Sequence, residues 1–477
     1  MKKILMTMVA VLAAMSAVCQ PALTKGMENK RLAPDELSKA RYVGTVEQGE
    51  VWMMEGRKHV KQVVITDLDL NPVLTLPLPG TASEQVEVLT AGCDVDCVGV
   101  LTAQHSNKRT VVMSYRVAGG VVTSDTVNVL DYGRKDECLV WGASSPSGTY
   151  HALVAVVKLN DTKQFYTYTA LFDGEMNRLW QRSPDMGSLY ELVVTDAGRV
   201  VTFGHEREDV ESHFVYNVFD NTSAVTYDAA VKCDPVEEMH LAAVVGSHAV
   251  AVGTYHPSDG RNADKLTAGV LTLSFNLDSA AIDGVTMRPF QNEDMNIFLN
   301  EKTKKIQKGQ ECDHLTVMGV AATPWGAAMA LGRNMVVEKS SGGSVSREGI
   351  GVGVSVVSVD TTGSVNWVRN IRRNDVNDEG MVPTVGFAAC GDRVCLVKTE
   401  HAKMPLGYEI SESAKHFTQG DGGNVFIYTI DDNGMTEKLM LERKSKLTVT
   451  RAMGRGDQSL LMVGAVGKKS RLSVLKF

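Results

Sequence analysis

Short apolar runs separated by turn residues fill the chain from residue 41 onward. The clearest examples are ELVVTDAGRVVTFG (191–204), LAAVVGSHAVAVGTY (241–255) and TVGFAACGDRVCLVKT (384–399), which are nearly continuous in Val, Ala, Leu and Gly. Strands that are apolar along both faces are typical of sheets covered on both sides. Each segment therefore predicts a buried hairpin whose small residues let neighbouring sheets pack closely.

A second kind of hairpin alternates with the first and carries an aspartate at its turn. In 172–182 (FDGEMNRLWQR) and 359–369 (VDTTGSVNWVR), Trp follows the aspartate by seven residues and Arg by nine. A large apolar residue stands at the same distance from Asp67, Asp220 and Asp278. Because Asp accepts hydrogen bonds from nearby backbone N–H groups, this pattern predicts an Asp-started turn and a returning strand that faces inward.

One hairpin of each kind makes a four-stranded unit, and such units follow one another along the chain. Their approximate bounds are 41–78, 86–129, 137–183, 190–230, 239–287, 314–371, 382–441 and a shorter 447–477. Units of this size and spacing are typical of β-propellers, including those with WD40-like repeats. We predict an all-β fold, a single β-propeller of seven or eight four-stranded blades whose last blade borrows a strand from the N-terminal side. Two stacked β-domains are the alternative.

Several segments depart from the repeat, and two of them bear on the domain bounds. Residues 289–311 hold Met295 and Phe298 at helical spacing and end at Gly309, which predicts a short amphipathic helical insert. This helix either caps a blade edge or docks a partner. Residues 20–40 are polar and are interpreted as an N-terminal linker before a propeller at 41–477.

Residues 1–19 have the pattern of a signal peptide, with Lys2 and Lys3 before a short apolar run. Cleavage after Cys19 would leave Gln20 first, whereas an alternative interpretation makes Cys19 a lipid anchor. No later run is long and apolar enough to be a transmembrane segment. We therefore expect an exported protein that is periplasmic, outer-membrane-associated or extracellular.

The sequence resembles secreted β-propeller proteins of the Bacteroidota, most of them uncharacterised. The resemblance rests on the signal before Gln20, the D-x6-W hairpins, and the order of the insert, HLTVMGVAATPWGAAMALGR and VSVVSVDTTGSVNWVRNI. It is strongest over residues 289–371. The resemblance implies the fold and export, and it assigns no catalytic residue.

Charge and motif content narrow the range of functions. The net charge is −7 with acids and bases interspersed, which argues against nucleic acid or an anionic membrane as the partner. The sequence has no G-x-S-x-G, HExxH, Walker or Rossmann motif. The stretch 65–72 (ITDLDLNP) begins like a calcium loop, but Pro72 and Leu78 stand where the loop needs Gly and Glu. We expect no cofactor and no metal.

Seven cysteines follow Cys19, an odd number. Cys390 and Cys395 flank one predicted turn and Cys93 and Cys97 flank another, so each pair is a candidate disulfide in an exported protein. Three Asp-Ser/Thr-apolar tripeptides resemble bacterial O-glycosylation sites, with Thr126, Ser279 and Thr361 as the acceptors.

Basic or imidazole side chains recur where the second strand of a blade is predicted to end. Since successive blades place this position on one rim, we predict a binding face for an anionic or sugar ligand formed by His59, His105, Lys158, His205, His256, Arg333 and His401. The favoured function is a non-enzymatic binding or scaffold protein of the cell envelope that contacts a protein or glycan through one rim. The alternative is a carbohydrate-active lyase or hydrolase with its site on the axis.

Overall fold

The computed structural model describes most of the chain, and every structural statement below concerns these residues. They are 22–28, 37, 39–162, 164–183, 191–208, 211–258, 263–279, 281–298, 312–313, 315–341, 344–377, 384–403, 417–418, 422–455 and 458–477. The predicted signal peptide and the lipid-anchor alternative at Cys19 lie outside them.

Thirty-five strands make up the described chain, beginning with β1 (Ala22–Lys25). Blades 1 to 4 each take four consecutive strands. Blade 1 contains β2 (Arg41–Val46), β3 (Gly49–Glu55), β4 (Lys61–Thr66) and β5 (Pro72–Pro77). Blade 2 contains β6 (Val86–Asp94), β7 (Cys97–Ser106), β8 (Arg109–Ala118) and β9 (Val121–Asp131). Blade 3 contains β10 (Glu137–Ser144), β11 (Tyr150–Lys158), β12 (Phe165–Asp173) and β13 (Arg178–Arg182). Blade 4 contains β14 (Glu191–Val194), β15 (Val200–Glu208), β16 (Glu211–Phe219) and β17 (Ala224–Lys232).

Blades 5 to 8 complete the set and carry the irregular elements. Blade 5 contains β18 (Val236–Val245), β19 (His248–Tyr255), β21 (Gly269–Asn276) and β22 (Ala281–Pro289), with the short strand pair β20 (Leu266–Thr267) and β23 (Cys312–Asp313) beside it. Blade 6 contains β24 (Leu315–Thr323), β25 (Gly326–Ser341), β26 (Ser344–Asp360) and β27 (Val365–Asn377), with β30 (Phe417–Thr418) at its edge. Blade 7 contains β28 (Gly386–Cys390), β29 (Arg393–His401), β31 (Gly423–Ile430) and β32 (Thr436–Ser445). Blade 8 contains β33 (Thr448–Gly454), β34 (Ser459–Val466) and β35 (Lys469–Lys476). The helix α1 spans Asn292–Phe298, and 3₁₀ turns span Arg57–His59 and Ala263–Lys265.

These eight blades form a β-propeller, as the sequence predicts, and the number of blades is eight. In each of blades 1 to 7, the first strand lies innermost and contacts the first strand of the next blade. Each blade is an antiparallel meander, so its connections alternate between the two faces of the ring. We call the face formed by the connections between second and third strands the upper face, and the opposite face the lower face.

The N-terminal segment closes the ring. β1 pairs antiparallel with β35, with Ala22 opposite Lys476 and Lys25 opposite Ser473, and so supplies the fourth strand of blade 8. The predicted borrowed strand is therefore confirmed. The interpretation of 20–40 as a linker is wrong for β1, which belongs to the propeller, and Leu37 is also buried between blades 8 and 1.

The core lies between blades, because each sheet buries both of its faces. On β19, Val250 and Val252 pack toward blade 6, whereas the alternating Ala249 and Ala251 pack toward Phe203 of blade 4. Residues that alternate along a strand point to opposite faces, so an apolar run with no polar gaps is what this position requires. The prediction that these hairpins are buried on both faces is confirmed.

Aspartate side chains cap the turns between third and fourth strands, as predicted, in all but one of the blades where we expected them. The Oδ1 atoms of Asp67 and Asp173 accept the backbone N–H of Asn71 and Asn177, each at 2.8 Å. Asp220 and Asp360 cap their turns in the same way. The prediction is wrong at Asp278, where the Asn276 side chain accepts the turn N–H groups instead.

The Trp and Arg of the repeat join neighbouring blades. Trp367 Nε1 donates to the carbonyl of Asp432 at 2.9 Å, and Arg369 donates to Gly434, both in the turn of blade 7. Arg182 of blade 3 likewise donates to Asn221 in the turn of blade 4, at 2.9 Å. The repeated motif therefore has a structural role, since the outer strands of blades 3 and 6 hold the turn of the following blade.

The helical insert caps a blade. Met295, Ile297 and Phe298 are buried in the core between blades 5 and 6. The carboxylate of Asp294 accepts hydrogen bonds from Arg288 and Asn370, at 2.8 and 2.9 Å, which fixes the helix onto both blades. The remainder of the predicted insert, 299–311, lies outside the described residues.

Candidate binding face and axial cavity

Five of the seven predicted binding residues lie at the upper ends of second strands. His105, Lys158 and His401 lie at or next to the ends of β7, β11 and β29, His59 lies in the 3₁₀ turn after β3, and His256 follows β19 directly. The structure thus places these five on one face of the ring. Their role in binding stays a prediction.

Local contacts hold several of these side chains. His59 lies 2.7 Å from Glu55 and 3.0 Å from Glu84, and His105 Nε2 lies 3.6 Å from Glu87. In addition, His256 Nδ1 lies 2.8 Å from the Leu266 carbonyl, His401 Nδ1 accepts the Lys403 N–H at 3.1 Å, and the Lys158 ammonium lies 5.9 Å from the Phe165 ring centroid.

Arg333 is buried and so does not form part of an exposed binding face, and its inclusion in the predicted set is wrong. Its side chain is only 5% exposed because β25 continues eight residues beyond it and α1 lies over it. Its guanidinium forms an ion pair with Asp313 and donates to the Phe298 carbonyl at 3.1 Å. His205 also lies within its strand, half-buried, with its ring centroid 6.3 Å from that of Phe214.

A cavity of about 370 Å³ opens at the upper face beside the axis, between the inner strands of blades 6, 7 and 8. It is lined by Thr316, Val317, Met318, Asn334, Thr384, Val385, Phe387, Thr450, Arg451 and Ala452. This volume falls in the range of small-molecule sites. The described lining combines apolar groups, hydroxyls and one guanidinium, and includes no carboxylate and no imidazole.

An imidazole bridges two carboxylates on the innermost strands of blades 4 and 5. His240 Nδ1 lies 3.0 Å from Glu191 Oε1, and its Nε2 lies 2.8 Å from Glu238 Oε1. These hydrogen bonds, Glu191 first, raise the pKa of His240 above its usual value despite partial burial. Both ring nitrogens are occupied, so the cluster joins two neighbouring blades as a charge-assisted contact.

A buried charged cluster lies between blades 6 and 7. Glu400 lies 3.3 Å from Lys398 and 2.8 Å from Lys438, and Tyr428 donates its hydroxyl to the same carboxylate. The three charged side chains are at most 4% exposed. Burial acts to raise the pKa of Glu400, but the two ammonium groups and the hydrogen bonds hold it below its usual value.

A serine–histidine pair lies in the core between blades 2 and 3. Ser144 Oγ lies 2.8 Å from His151 Nδ1 and 2.8 Å from Thr90 Oγ1. His151 is fully buried, and burial lowers its pKa to about 4. Because no substrate can reach a buried side chain, this pair is part of the packing.

No disulfide joins the seven cysteines that follow Cys19. Cys93 lies opposite Val98 and packs toward blade 1, while Cys97 lies opposite Asp94 and faces the other side of the sheet. The hairpin therefore does not present these two thiols to each other, contrary to our expectation. Cys390 and Cys395 lie on one face and both pack toward blade 8, so their pairing stays a prediction.

The three candidate glycosylation residues differ in exposure. Thr126 lies on the outermost strand of blade 2 and Ser279 in a turn, both exposed, whereas Thr361 is half-buried. Their modification stays a prediction.

Metal-binding groups and membrane-spanning helices are both absent from the described residues. No group of three or more His, Cys, Asp or Glu is arranged to hold a metal ion. Among the same residues, no helix has the length and apolar character needed to cross a membrane.

Comparisons with known proteins bear on the fold. No protein-family model matches the sequence, and no curated protein matches it. Similar solved structures include the WD40 domain of SCAP from fission yeast, 7% identical with a TM-score of 0.40, covering 96% of this chain and 98% of that one. Polysaccharide lyase Uly1 is 8% identical with a TM-score of 0.40, and the match covers 95% of this chain and 99% of that one. The β-propeller domain of the Trilobed protease from Pyrococcus furiosus is 10% identical with a TM-score of 0.33, and the match covers 85% of this chain and 97% of that one. At these identities the likeness concerns the fold alone, and the assignment to an eight-bladed propeller rests on the sheet topology.

Proposed function

We propose that the protein is an exported, non-enzymatic binding or scaffold propeller of the cell envelope that contacts a protein or glycan through its upper face. The observation that carries this proposal is the axial cavity, which opens on that face. Its described lining offers apolar contacts and hydrogen-bonding groups, whereas general acid–base catalysis needs a positioned carboxylate, imidazole or similar group. A rigid ring with its side chains fixed by blade packing suits such a role.

Pull-down from the native envelope with mass spectrometry tests this function. The wild-type chain is compared with an upper-face variant, Lys158→Glu with His401→Glu, and a lower-face variant, Val95→Glu with Arg393→Glu. We expect a partner that the wild type and the lower-face variant capture and the upper-face variant loses. Equal capture by all three chains would refute the use of the upper face.

One observation favours the alternative, an enzyme acting on carbohydrate at the axis. Glu191, Glu238 and His240 bring three titratable groups together on inner strands. This function predicts release of new reducing ends from a polysaccharide, with loss of the activity in His240→Gln. The same loss in Arg393→Gln, on the lower face, would count against a site at the axis.

A further inference from the structure

The threonines of the axial cavity present hydrogen-bond acceptors to a ligand. They lie near the starts of three successive inner strands, in blades 6, 7 and 8. Each hydroxyl donates its proton to a backbone carbonyl: Thr316 to Gly332 at 3.2 Å, Thr384 to Val449 at 3.2 Å, and Thr450 to Val463 at 3.1 Å. A hydroxyl that already donates keeps acceptor capacity. Three such groups around one space suit a ligand that carries several O–H donors.

A buried ion pair fixes the polar wall of the cavity. Arg373 donates to Asp375 at 2.6 Å and to Asn334 Oδ1 at 3.3 Å, and both charged side chains are almost fully buried. Asn334 in turn donates to Thr316 at 2.8 Å. The orientation of the amide and the hydroxyl is therefore set before a ligand arrives, which reduces the entropy lost on binding.

An aromatic ring and a guanidinium complete the lining. Phe387 packs against Gly319, where a β-carbon would lie 2.9 Å from the ring, so the glycine leaves space for it. Arg451, half-buried, donates to the Ala40 carbonyl at 2.9 Å. It is the charged residue of the described lining.

We propose that this cavity binds an acidic saccharide, with its hydroxyls on the threonines, the apolar face of a sugar ring on Phe387, and its anionic group on Arg451. The proposal rests on the proposed function of the upper face and names the ligand class for it. A uronate carboxylate and a sulfate ester share the required chemistry, since a guanidinium binds either through paired N–H groups. A neutral saccharide would leave Arg451 without a role in binding.

Native-gel affinity electrophoresis of the full chain tests the ligand class. The gels contain polygalacturonate, which carries carboxylates, dextran sulfate, which carries sulfates, or neutral dextran. Because the chain is net negative, general attraction to a polyanion is disfavoured, and retardation reports a local site. We expect retardation by at least one acidic polymer and none by dextran; the polymer that retards the chain identifies the anionic group.

Matched variants assign the binding to the cavity. Arg451→Gln and Phe387→Ala are each expected to weaken the interaction about tenfold or more, as removal of a charged hydrogen bond of about 1.5–3 kcal/mol would for the first. Arg393→Gln, which removes the same charge from the lower face, is expected to leave it unchanged. Thr384→Val changes an exposed residue and is nearly isosteric, so it provides a second test if the other variants unfold. It should weaken binding as well.

The results separate this proposal from the proposed function. No retardation by either acidic polymer, equal retardation by dextran, or unchanged binding by Arg451→Gln and Thr384→Val would overturn the assignment to an acidic saccharide. If these occur while the upper-face variant still loses its captured partner, the upper face binds something else and the proposed function stands.

Discussion

Replacing Glu400 by Gln should destabilise the propeller strongly, because it leaves two ammonium groups buried without their carboxylate. Lys398 and Lys438 are at most 3% exposed, and Glu400 lies within 3.3 Å of both. Removing one member of a buried ion pair costs about 3–5 kcal/mol. Tyr428→Phe removes only one hydrogen bond to the same carboxylate and should cost about 1.5–3 kcal/mol. Glu437→Ala, an exposed carboxylate beside Lys438, should change stability by less than about 0.5 kcal/mol.

Urea unfolding followed by circular dichroism between pH 3 and pH 8 measures this series. The lowered pKa of Glu400 means that its contribution is fully present above the unfolded value of about 4.3 and is lost as the pH falls through the folded value. The difference between wild type and Glu400→Gln should therefore be largest near neutral pH and shrink at acid pH. A difference below about 0.5 kcal/mol at pH 7, or one that stays constant to pH 3, would refute the reasoning.

Three further predictions concern other contacts. His240→Gln should remove a stabilising contribution that is fully present below pH about 6.5 and lost as the pH rises through the raised folded pKa of His240, so thermal melts of the two proteins should differ at pH 6 and converge at pH 9. Gly99→Ala places a β-carbon 2.4 Å from His151 Nε2 in the core and should cost about 1–3 kcal/mol by urea unfolding; an unchanged midpoint would contradict the close packing. Trp367→Phe removes the hydrogen bond to the next blade and should cost about 1 kcal/mol; a melting temperature equal to that of the wild type would argue against its role in joining blades.

The repeat made most of the fold predictable. Periodic Asp and Trp positions predict the outer hairpins, and runs that are apolar on both faces predict the inner strands. Both features depend on local turn geometry and on burial, which a sequence shows directly. The number of blades stayed open because the fourth strand of blade 8, Ala22–Lys25, is separated from its partner by almost the whole chain. A four-residue strand in a polar segment carries too little pattern to be recognised.

The candidate site was less predictable, because its residues come from different blades. Glu191 and His240 are far apart in sequence and meet only when blades 4 and 5 pack. The prediction of an exposed Arg333 is wrong because nothing in the sequence shows that β25 continues past it beneath α1. One signal was present for the buried cluster: Lys398 and Glu400 alternate on the face of β29 that also carries Leu396, where a solvated charge is not expected.

The closure of the ring also sets an order of events in folding. β1 is the first described strand of the chain, and its partner Ser473–Lys476 is made only after blades 1 to 7. The four-stranded meander of each of blades 1 to 7 comes from one stretch of the chain and needs only local loop closure, whereas blade 8 must bring two distant segments together. Ring closure is therefore the slow step, and until it occurs β35 presents an open strand edge that can pair with another chain. A newly made molecule is thus most prone to aggregation after β35 has formed and before β1 pairs with it.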